Sequence, residues 1–570
     1  MFRSHLSSLV SKAVQALAAE GKLPPAAADC PIEISDTKGP EFGDYATNFA
    51  MAAARPSAMS PRDIAHLLAP KLEADPLVKN VEIAGPGFLN FHLEPVGIAK
   101  SVAEIPRLGA TGLPSCQNQT ENPLHINLEF VSVNPNGPVT VGSARGAAVG
   151  DTLARVLQAV GHNVHREFYV NDGINSEQMR LFAEAVRHYL GHRPDMPEGG
   201  YKGEYVERVA ADAARQIQPD SNVQHVQRVA QELMLERQRQ DLKDFGVEFD
   251  TWFREQNLHD SGAVQAAIQL IEARGAADRD PIRTVITPDG PTIEPQDPGP
   301  LWFRSTQFGD DKDRVLLRTD GRPAYIAADI AYMQNKLGER NFDKALMVLG
   351  PDHHGYIGRM NACCLALGYP LDRFQVVIFQ IVRFVRDGKP APMRKRDGNI
   401  YELRDLMDEI GADVARFFYL MRSHDTHMDF DIDLATKQSD DNPVYYVQYA
   451  HARICSVIEK ASETLDSTQE PNLALLTDPR ELALIKRIFD LPFEVARCAK
   501  DYGVHRLTTY AVELARTYHH FYDACRVIQP DQPELSAARL RLCQAAQIGL
   551  QATLTLLSVS APQRMSRKEE

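Results

Sequence analysis

Apolar and polar positions along the first 115 residues predict a small α+β unit. Residues 3–20 place apolar side chains at helical spacing, so we expect one amphipathic helix there. The segments PIEIS and VEIAGPGFLNFHL are typical of strands, the second broken by a Gly-Pro-Gly turn. Between them, YATNFAMAAA and SPRDIAHLLAPKL predict helices, with Ser60 as the N-cap of the second. The polar, breaker-rich stretch 113–123 marks a boundary.

The pattern changes at about residue 124 to strand, Gly/Pro loop, helix and strand. HINLEFVSV, GSARGAAVGDTLARVLQAVG and NVHREFYV form a β-α-β unit, which predicts a parallel sheet with a right-handed crossover. Residues 174–280 are charged and mostly helical in pattern, and we expect a helical insertion there. Strand and helix alternation resumes and ends near residue 400, and a connecting segment, 401–435, follows. The fold class expected of this region is α/β.

From residue 436 onward the pattern is helical. Candidate helices are 443–464, 481–501, 504–526 and 535–558, separated by breaker-rich loops such as IQPDQP. We therefore expect an all-helical domain over 436–570. The chain contains no internal repeat and no low-complexity tract.

Composition limits the classes of protein to which the chain can belong. Hydrophobic residues are 44% and charged residues 24% of the 570 positions, which excludes a disordered, collagenous or coiled-coil protein. No run approaches the roughly 20 apolar residues of a membrane-spanning helix, and the amphipathic start differs from a signal peptide. We therefore expect a soluble, cytoplasmic protein. Eight cysteines without a C-x-x-C pair indicate buried reduced thiols rather than a zinc site.

The net charge of −14 argues against indiscriminate binding to nucleic acid. It does not exclude a nucleic-acid partner, because the acidity is uneven along the chain. From Asp441 to the end there are 15 basic and 16 acidic side chains, so the helical domain is nearly neutral. A local basic face in that domain is compatible with this balance.

The first strand–helix junction, residues 129–146, is the most informative segment for chemistry. A strand enters a Gly/Pro turn and then a helix, whose unpaired N-terminal N–H groups favour phosphate. An ordinary structural turn explains the same residues equally well. The junction alone therefore leaves both interpretations open.

The order of further segments adds a family resemblance. The chain resembles class I aminoacyl-tRNA synthetases, and within them the arginyl-tRNA synthetases, in EFVSVNPNGP, REFYVNDG, EGGYKGEYV, LWFRSTQFGDDKDRVLLRTDG, ADIAY, GPDHHGYIGRM, GADVARFFYLMRS, NPVYYVQYAHARICSV and LLSVSAPQRM. This resemblance implies a Rossmann-type parallel-sheet catalytic domain over 124–400. It also implies an N-terminal α+β domain, 1–115, that touches the tRNA elbow, and an all-helical anticodon-binding domain, 436–570.

The activity implied by the resemblance is that of an arginine–tRNA ligase. Such an enzyme activates arginine with ATP to arginyl-adenylate and transfers the arginyl group to the 3′ end of arginine tRNA. ATP enters as a substrate with Mg²⁺ held by its phosphates, and no metal is bound by the protein itself. The resemblance further implies a monomer whose partners are tRNA, arginine and ATP, without a membrane.

The resemblance also assigns roles residue by residue. A guanidinium has five donors and no acceptor, so its pocket needs carboxylates. The residues implied to bind arginine are Glu129, Asn134, Tyr325 and Asp329. Those implied to bind ATP are Gly142, Gly350, Asp352, His353, His354, Met393 and Lys395. Those implied to contact tRNA are Tyr45, Asn48, Tyr445, Tyr449 and Arg453. The aromatic stripe among the last group is equally consistent with a helix face packed in a core.

Two signatures depart from the usual pattern of the class. The His-X-Gly-His signature is replaced by Thr140, Val141, Gly142 and Ser143, so hydroxyls stand where two imidazoles would donate to the ATP phosphates. Losing one such donor typically costs about 10²–10³ in rate. The Lys-Met-Ser-Lys loop is PMRK here, and its second lysine survives as Lys395. The residues implied to act in catalysis are Thr140, Gly142, Ser143 and Lys395.

Two functions stay open on these residues. One is a working arginine–tRNA ligase with an altered signature. The other is a catalytically weakened paralogue that binds tRNA, arginine or both, for regulation or for a tRNA-dependent modification. A purely structural protein is disfavoured, because it would not need a complete arginine pocket together with Lys395.

Overall fold

The computed structural model describes residues 1–115, 120–173, 176–279, 299–391, 400–463 and 470–565, and the backbone alone of 282–287 and 290–295. Contacts divide the chain into two compact units. Unit 1 consists of Met1–Gln119, Gln438–Asp501 and Arg506–Glu570, and unit 2 of Thr120–Lys437 and Tyr502–His505. The domain boundaries predicted from the sequence stay predictions, because grouping by contact does not test which segments fold independently.

The N-terminal part of unit 1 is a four-stranded antiparallel sheet with helices. Its strands are β1 Ile34–Asp36, β2 Tyr45–Thr47, β3 Val78–Ala84 and β4 Phe88–Leu93, in the order β1-β2-β4-β3. Its helices are α1 Phe2–Ala19, α2 Phe49–Ser57, α3 Pro61–Leu72, α4 Pro95–Ser101 and α5 Ile105–Gly112. Ser60 caps α3 by accepting from the backbone N–H of Asp63 at 3.1 Å, which confirms the predicted start. The helix expected over YATNFAMAAA begins only at Phe49, because the residues before it pair with β4.

Unit 2 is built on a parallel sheet, which confirms the α/β class. Its strands are β5 His125–Phe130, β6 Asn163–Val170, β7 Thr251–Arg254, β8 Ala277–Arg279, β9 Ile282–Thr287, β10 Gly290–Pro295, β11 Leu301–Phe303, β12 Arg314–Leu317, β13 Lys344–Leu349, β14 Phe374–Ile378, β15 Val382–Arg386, β16 Lys389–Pro390 and β17 Met428–Asp431. Five of them form the central sheet in the order β14-β13-β5-β6-β7, and every pair is parallel. The order reverses at β5, which is where open α/β sheets form a ligand crevice.

The helices of unit 2 cover this sheet and form the insertion. They are α6 Val141–Ala159, α7 Glu177–Tyr189, α8 Glu204–Ala213, α9 Val223–Asp244, α10 Glu255–Asp260, α11 Ala263–Ala273, α12 Tyr325–Gln334, α13 Tyr356–Ala366, α14 Leu403–Ile410, α15 Ala412–Leu420 and α16 Ile432–Thr436. Helices α7, α8 and α9 share an apolar core of their own. Two elements inside the predicted helical insertion are strands: β7 pairs with β6 as an edge strand of the parallel sheet, and β8 pairs with β11.

Helix α6 packs closely against the ring of Phe130, the last residue of β5, and against the ring of Phe379. A Cβ placed on Gly150 would lie 2.3 Å from Cγ of Phe130, and one on Gly146 would lie 2.6 Å from Cε1 of Phe379. Only glycine permits this approach. The close packing carries the N-terminus of α6 to the carboxyl end of β5.

The C-terminal part of unit 1 is all helical, as predicted. Its helices are α17 Pro443–Ser462, α18 Pro479–Phe489, α19 Leu491–Asp501, α20 Arg506–Ala524 and α21 Pro533–Leu557. The single helix expected over 481–501 is two helices. Pro492 has no N–H for the carbonyl of Ile488, and the hydroxyl of Tyr510 donates to that carbonyl instead at 3.2 Å. None of the helices in the described ranges combines the length and apolar character that crossing a bilayer requires.

Candidate functional site

A cavity of about 1270 Å³ lies at the carboxyl ends of β5 and β13 in unit 2. Its walls are the turn after β5, the N-terminus of α6, the loop after β13 and the facing sides of α12 and α13. Ten of the predicted residues line it: Glu129, Asn134, Thr140, Gly142, Ser143, Tyr325, Asp329, Gly350, Asp352 and His353. The fold therefore brings together residues that are up to 224 positions apart in the chain.

Three of the predicted ATP-binding residues are not placed in the cavity. His354 is exposed and does not belong to the cavity wall as the structure describes it. Met393 and Lys395 lie outside the described residues. Their predicted roles rest on the resemblance alone.

The carboxylate of Glu129 is buried at the end of β5 and is held at both oxygens. The hydroxyl of Ser132 donates to Oε1 at 3.2 Å, and the ammonium of Lys336 donates to Oε2 at 2.5 Å. Glu129 is 3% exposed and Lys336 is 2% exposed. Because a buried carboxylate is costly without partners, this pairing explains how an acidic residue is tolerated inside a strand.

Asp329 and Glu255 supply two further carboxylates to the cavity. The hydroxyl of Tyr356 donates to Oδ1 of Asp329 at 2.7 Å. Burial raises the pKa of the Asp329 carboxyl to about 6, although this hydrogen bond and the charge of Arg359 oppose the shift. Burial likewise raises the pKa of Glu255, which accepts a hydrogen bond from Tyr169. In both cases burial outweighs the nearby basic groups, His259 for Glu255 and Arg359 for Asp329, so a cationic ligand in the cavity would stabilise both ionised forms.

Glu255 was missed by the sequence analysis. It begins α10 directly after β7, within the stretch that was interpreted as a charged helical insertion. The available signal was its position: a carboxylate that directly follows a strand of the parallel sheet lies at the ligand-binding edge. The four residues of β7 were too short to be recognised as a strand.

Tyr325 is the first residue of α12, and Asp329 lies one turn later on the same helix, as predicted. The Tyr325 side chain is 75% exposed at the cavity wall. Asn134 donates from its amide to Oε1 of Gln178 at 3.0 Å. The predicted set for the amino acid is therefore gathered in one cavity, with Glu129 buried, Asp329 and Asn134 half-buried and Tyr325 exposed.

Thr140 and Ser143 form the N-cap of α6. The hydroxyl of Thr140 accepts from the backbone N–H of Ser143 at 3.2 Å, and the two hydroxyl oxygens are 3.1 Å apart. Thr140 thereby stabilises the helix terminus that faces the cavity. The backbone of Val141 donates to the carbonyl of Tyr401, and that of Leu403 donates to the carbonyl of Val139. The chain that follows residue 399 is consequently fixed beside the helix terminus.

Arg145 fixes the other side of this terminus. It is fully buried, and its guanidinium donates to the carbonyls of Gln380, Ser423 and Thr426 at 2.8–2.9 Å. Burial lowers the pKa of Arg145 to about 10, while the charge of Asp425 opposes the shift. Arg145 therefore ties the start of α6 to the loops around β15 and β17.

A second cavity, of about 730 Å³, lies among the helices of unit 1. Tyr449 and Arg453 line it together with Tyr522. The guanidinium carbon of Arg453 lies 4.6 Å from the ring centroid of Tyr522 and 5.9 Å from that of Tyr449. Two of the five predicted tRNA contacts are thus gathered around one open space.

Two of the predicted tRNA contacts are buried instead. Tyr445 is 8% exposed, and its ring stacks on that of Tyr449 with centroids 6.1 Å apart. Tyr45 is 2% exposed in β2, with the guanidinium of Arg3 at 4.9 Å from its ring centroid. Both rings are held by packing, so the expectation that they contact tRNA directly is revised. Asn48 is exposed at the start of α2, and its role stays a prediction.

The described residues contain no group of three or more histidine, cysteine, aspartate or glutamate side chains arranged to hold a metal ion. In the first cavity, Glu129 is paired with Ser132 and Lys336, and Asp329 is paired with Tyr356. The chemistry of this cavity is therefore that of a site for a cationic organic ligand next to a helix terminus suited to phosphate.

Comparison with known proteins gives three family matches along the chain. Residues 4–93 match the arginyl tRNA synthetase N terminal domain, residues 294–429 the catalytic domain of tRNA synthetases class I (R), and residues 447–565 the DALR anticodon binding domain. The arginine–tRNA ligase of Citrifermentans bemidjiense is 39% identical over 99% of this chain and 100% of its own length. That of Moorella thermoacetica is 43% identical over 92% of both chains.

Solved structures agree with these matches. The crystal structure of a putative arginyl-tRNA synthetase from Campylobacter jejuni is similar with a TM-score of 0.73 and 28% identity. The similarity covers 83% of this chain and 100% of that one.

Proposed function

This chain belongs to the arginyl-tRNA synthetase family, and on that premise we propose that it is an arginine–tRNA ligase. The carboxylate of arginine attacks the α-phosphate of ATP, which releases pyrophosphate and forms arginyl-adenylate. The terminal ribose hydroxyl of tRNA then attacks the activated carbonyl, and AMP leaves. The protein contributes positioning and charge stabilisation to both steps, without a nucleophile of its own.

The observation that carries this proposal is the pair of half-buried carboxylates in the cavity. Asp329 and Glu255 match a guanidinium, which has five N–H donors and a fixed positive charge. The hydroxyl of Tyr325 lies on the same helix as Asp329 and adds a polar group at the opening. A cation bound between the two carboxylates stabilises their ionised forms. A neutral ligand does not offset the free-energy cost of these charges, so the cavity favours arginine over uncharged analogues.

The amino-acid end of the substrate is assigned to the other side of the same cavity. Glu129 offers a negative charge to the α-ammonium, and Asn134 offers an amide near the α-carboxylate. In this assignment the reacting carboxylate faces the turn after β5. That turn leads directly into the N-terminus of α6.

ATP is assigned to the helix terminus and to the loop after β13. The N–H groups at the start of α6, including that of Gly142, favour the phosphates. The hydroxyls of Thr140 and Ser143 stand where the class usually has imidazoles, and they donate hydrogen bonds to the same phosphates. Asp352 and His353, in the loop after β13, are assigned to the adenosine. Mg²⁺ enters with ATP, held by its phosphates.

The weakened paralogue is the less favoured alternative. The first cavity keeps every predicted arginine-binding residue, and the full-length relatives in the comparisons carry the name arginine–tRNA ligase. We therefore propose catalysis with hydroxyl donors rather than a loss of catalysis.

tRNA is assigned to unit 1. Tyr449, Arg453 and Tyr522 line the second cavity, and we assign to them the stacking of an unpaired base. Asn48 is the remaining candidate for the tRNA elbow. The resemblance implies a monomer acting in the cytoplasm, and we adopt both as part of the proposal.

The test is to charge bulk tRNA with labelled arginine, citrulline or lysine in the presence of ATP. Citrulline has nearly the shape of arginine but carries no charge, and lysine carries the charge without the planar donor set. We expect charging with arginine alone, with kcat/KM for citrulline lower by at least 10⁴. Charging of citrulline or lysine at a rate similar to that of arginine would refute the assignment of Asp329 and Glu255.

A further inference from the structure

Two unusual backbone features lie next to Glu129, and neither takes part in the proposed reaction. The first is the turn directly after β5. Val131 has φ +69° and Ser132 has φ +42°, and the N–H of Ser132 donates to the carbonyl of Phe130 at 3.0 Å. A γ-turn with positive φ is rare and strained, and a β-branched residue is the least suited to it. Such strain persists where the surroundings hold it, most often at functional sites.

The side chain of Ser132 is what this turn places in position. Its Oγ accepts from the backbone N–H of Tyr169 at 3.0 Å, so the hydroxyl proton is left to be donated. The acceptor is Oε1 of Glu129, at 3.2 Å. The strained turn therefore directs one hydrogen bond to one oxygen of the carboxylate.

The second feature is a π-helical turn, Asn335–Glu339, directly after α12. π-turns are rare and occur frequently at functional sites. Lys336 lies in it, and its ammonium donates to Oε2 of Glu129 at 2.5 Å. The same ammonium lies 4.0 Å from the ring centroid of Tyr332 and 3.9 Å from Oε1 of Glu167.

The surrounding charges keep Lys336 in place. Glu167 is fully buried, accepts from the hydroxyl of Tyr332 at 2.6 Å, and pairs with Arg340 at 2.6 Å. Two carboxylates and two cations thus balance in charge, and Lys336, which is buried with both carboxylates, cannot leave Glu129 without leaving a buried carboxylate unpaired.

We propose that Ser132 and Lys336 are positioning residues that hold Glu129 in the orientation that receives the α-ammonium of the substrate. A carboxylate has about four acceptor sites, and the two hydrogen bonds use one on each oxygen. The remaining acceptor sites of the Glu129 carboxylate are left for a ligand, because Glu129 lines the cavity. The inference rests on the proposed function, because it takes arginine as the substrate.

A purely structural role predicts a different result from a positioning role. If the network only stabilised the fold, its loss would weaken every ligand of the cavity alike. If it orients Glu129, its loss weakens only ligands that carry an amine at the α-position. Two small probes separate these cases: agmatine keeps the amine and lacks the carboxylate, whereas 5-guanidinopentanoic acid keeps the carboxylate and lacks the amine.

The experiment is calorimetric binding of both probes to the wild-type chain and to S132A, K336M and E129Q. We expect S132A to weaken agmatine about tenfold and K336M to weaken it more, with 5-guanidinopentanoic acid unchanged within twofold. In the E129Q background, adding S132A should change agmatine binding less than twofold, because both act through one carboxylate. S261A, which removes an exposed hydroxyl elsewhere in unit 2, is the matched control.

The proposal is overturned if S132A and K336M change both probes equally, or if neither variant changes agmatine binding. If circular dichroism shows that K336M does not fold, the result for S132A alone tests the proposal. A wild-type chain that binds 5-guanidinopentanoic acid but not agmatine would contradict this inference and leave the guanidinium pocket intact. A wild-type chain that binds neither probe nor arginine would instead contradict the proposed function, and this inference would fall with it.

Discussion

Replacing Asp329 by asparagine should stabilise unit 2 and at the same time prevent arginine binding. The carboxyl of Asp329 is neutral in much of the folded protein near pH 6, because burial raises its pKa to about 6 from the ordinary value of 3.8. Ionising it at higher pH costs folding free energy that only a bound guanidinium offsets. Asparagine has nearly the same shape and no charge to bury.

The magnitude follows from the shift in pKa. A shift of roughly two units at about 1.4 kcal/mol per unit gives an upper limit of about 3 kcal/mol. Asp329 lines a cavity that water enters, so we expect about 1–3 kcal/mol. The raised pKa leaves the folded wild-type chain at its full stability below pH 3.8, where the carboxyl is neutral in both the folded and the unfolded state. This stability is lost as the pH rises through 6, because the folded chain must then carry the charge. The advantage of the asparagine variant should therefore be small near pH 4 and complete above pH 7.

The assay is urea unfolding followed by tryptophan fluorescence. The two tryptophans, Trp252 and Trp302, both lie in unit 2, so the signal reports the unit that holds the cavity. The control is D320N, an exposed aspartate whose pKa is lowered by a hydrogen bond with Arg322. D320N should give no gain in stability at any pH.

The same variant should raise the KM for arginine about a hundredfold or more, because one partner of a desolvated charge pair is lost. The reasoning would be refuted if D329N were less stable than the wild-type chain at pH 8, or if its advantage were the same at pH 5 and pH 8. Unchanged arginine affinity would refute the assignment of Asp329 independently.

Three further substitutions test the packing that supports the two sites. R3A should lower the stability of unit 1 by about 3–5 kcal/mol in thermal unfolding, because it removes the closest partner of the buried Asp490 carboxylate. G150A should cost about 1–3 kcal/mol, since its Cβ would overlap the Phe130 ring, and a Tm equal to wild type would contradict the packing. T140A should lose the cap of α6, costing about 1 kcal/mol and slowing charging, whereas T140S should retain both.

Helical periodicity identified long elements well. The helix expected over 443–464 is α17, and the helix expected at residues 3–20 is α1. It did not separate α18 from α19, because the apolar periodicity continues across the break that Pro492 introduces, and the proline was not used as a boundary. Nor did it recognise β7, whose four residues are defined by pairing with β6 rather than by their own pattern.

The sequence predicted the site residues whose type and position match the segments of the family. It did not predict the residues whose role depends on a neighbour in the folded structure. Glu129 and Asp329 were assigned from the family resemblance, and for Glu129 the apolar strand around it supported the assignment, since an unpaired carboxylate there is costly. Lys336 was not found, since nothing near it in the chain indicates that it reaches Glu129, 207 residues away. Tyr45 was assigned to a surface, but the side chain of Arg3 covers its ring.

Single-turnover charging with enzyme in excess over tRNA tests the central claim most directly. The wild-type chain and the T140H/S143H double variant would be mixed with labelled arginine, ATP and bulk tRNA, and arginyl-tRNA would be counted over time. The proposed ligase predicts transfer by the wild-type chain at the ordinary rates of enzymes, about 1–10³ s⁻¹. No transfer by the wild-type chain, together with transfer by the double variant, would show an intact arginine pocket beside a disabled phosphate site and would contradict the claim.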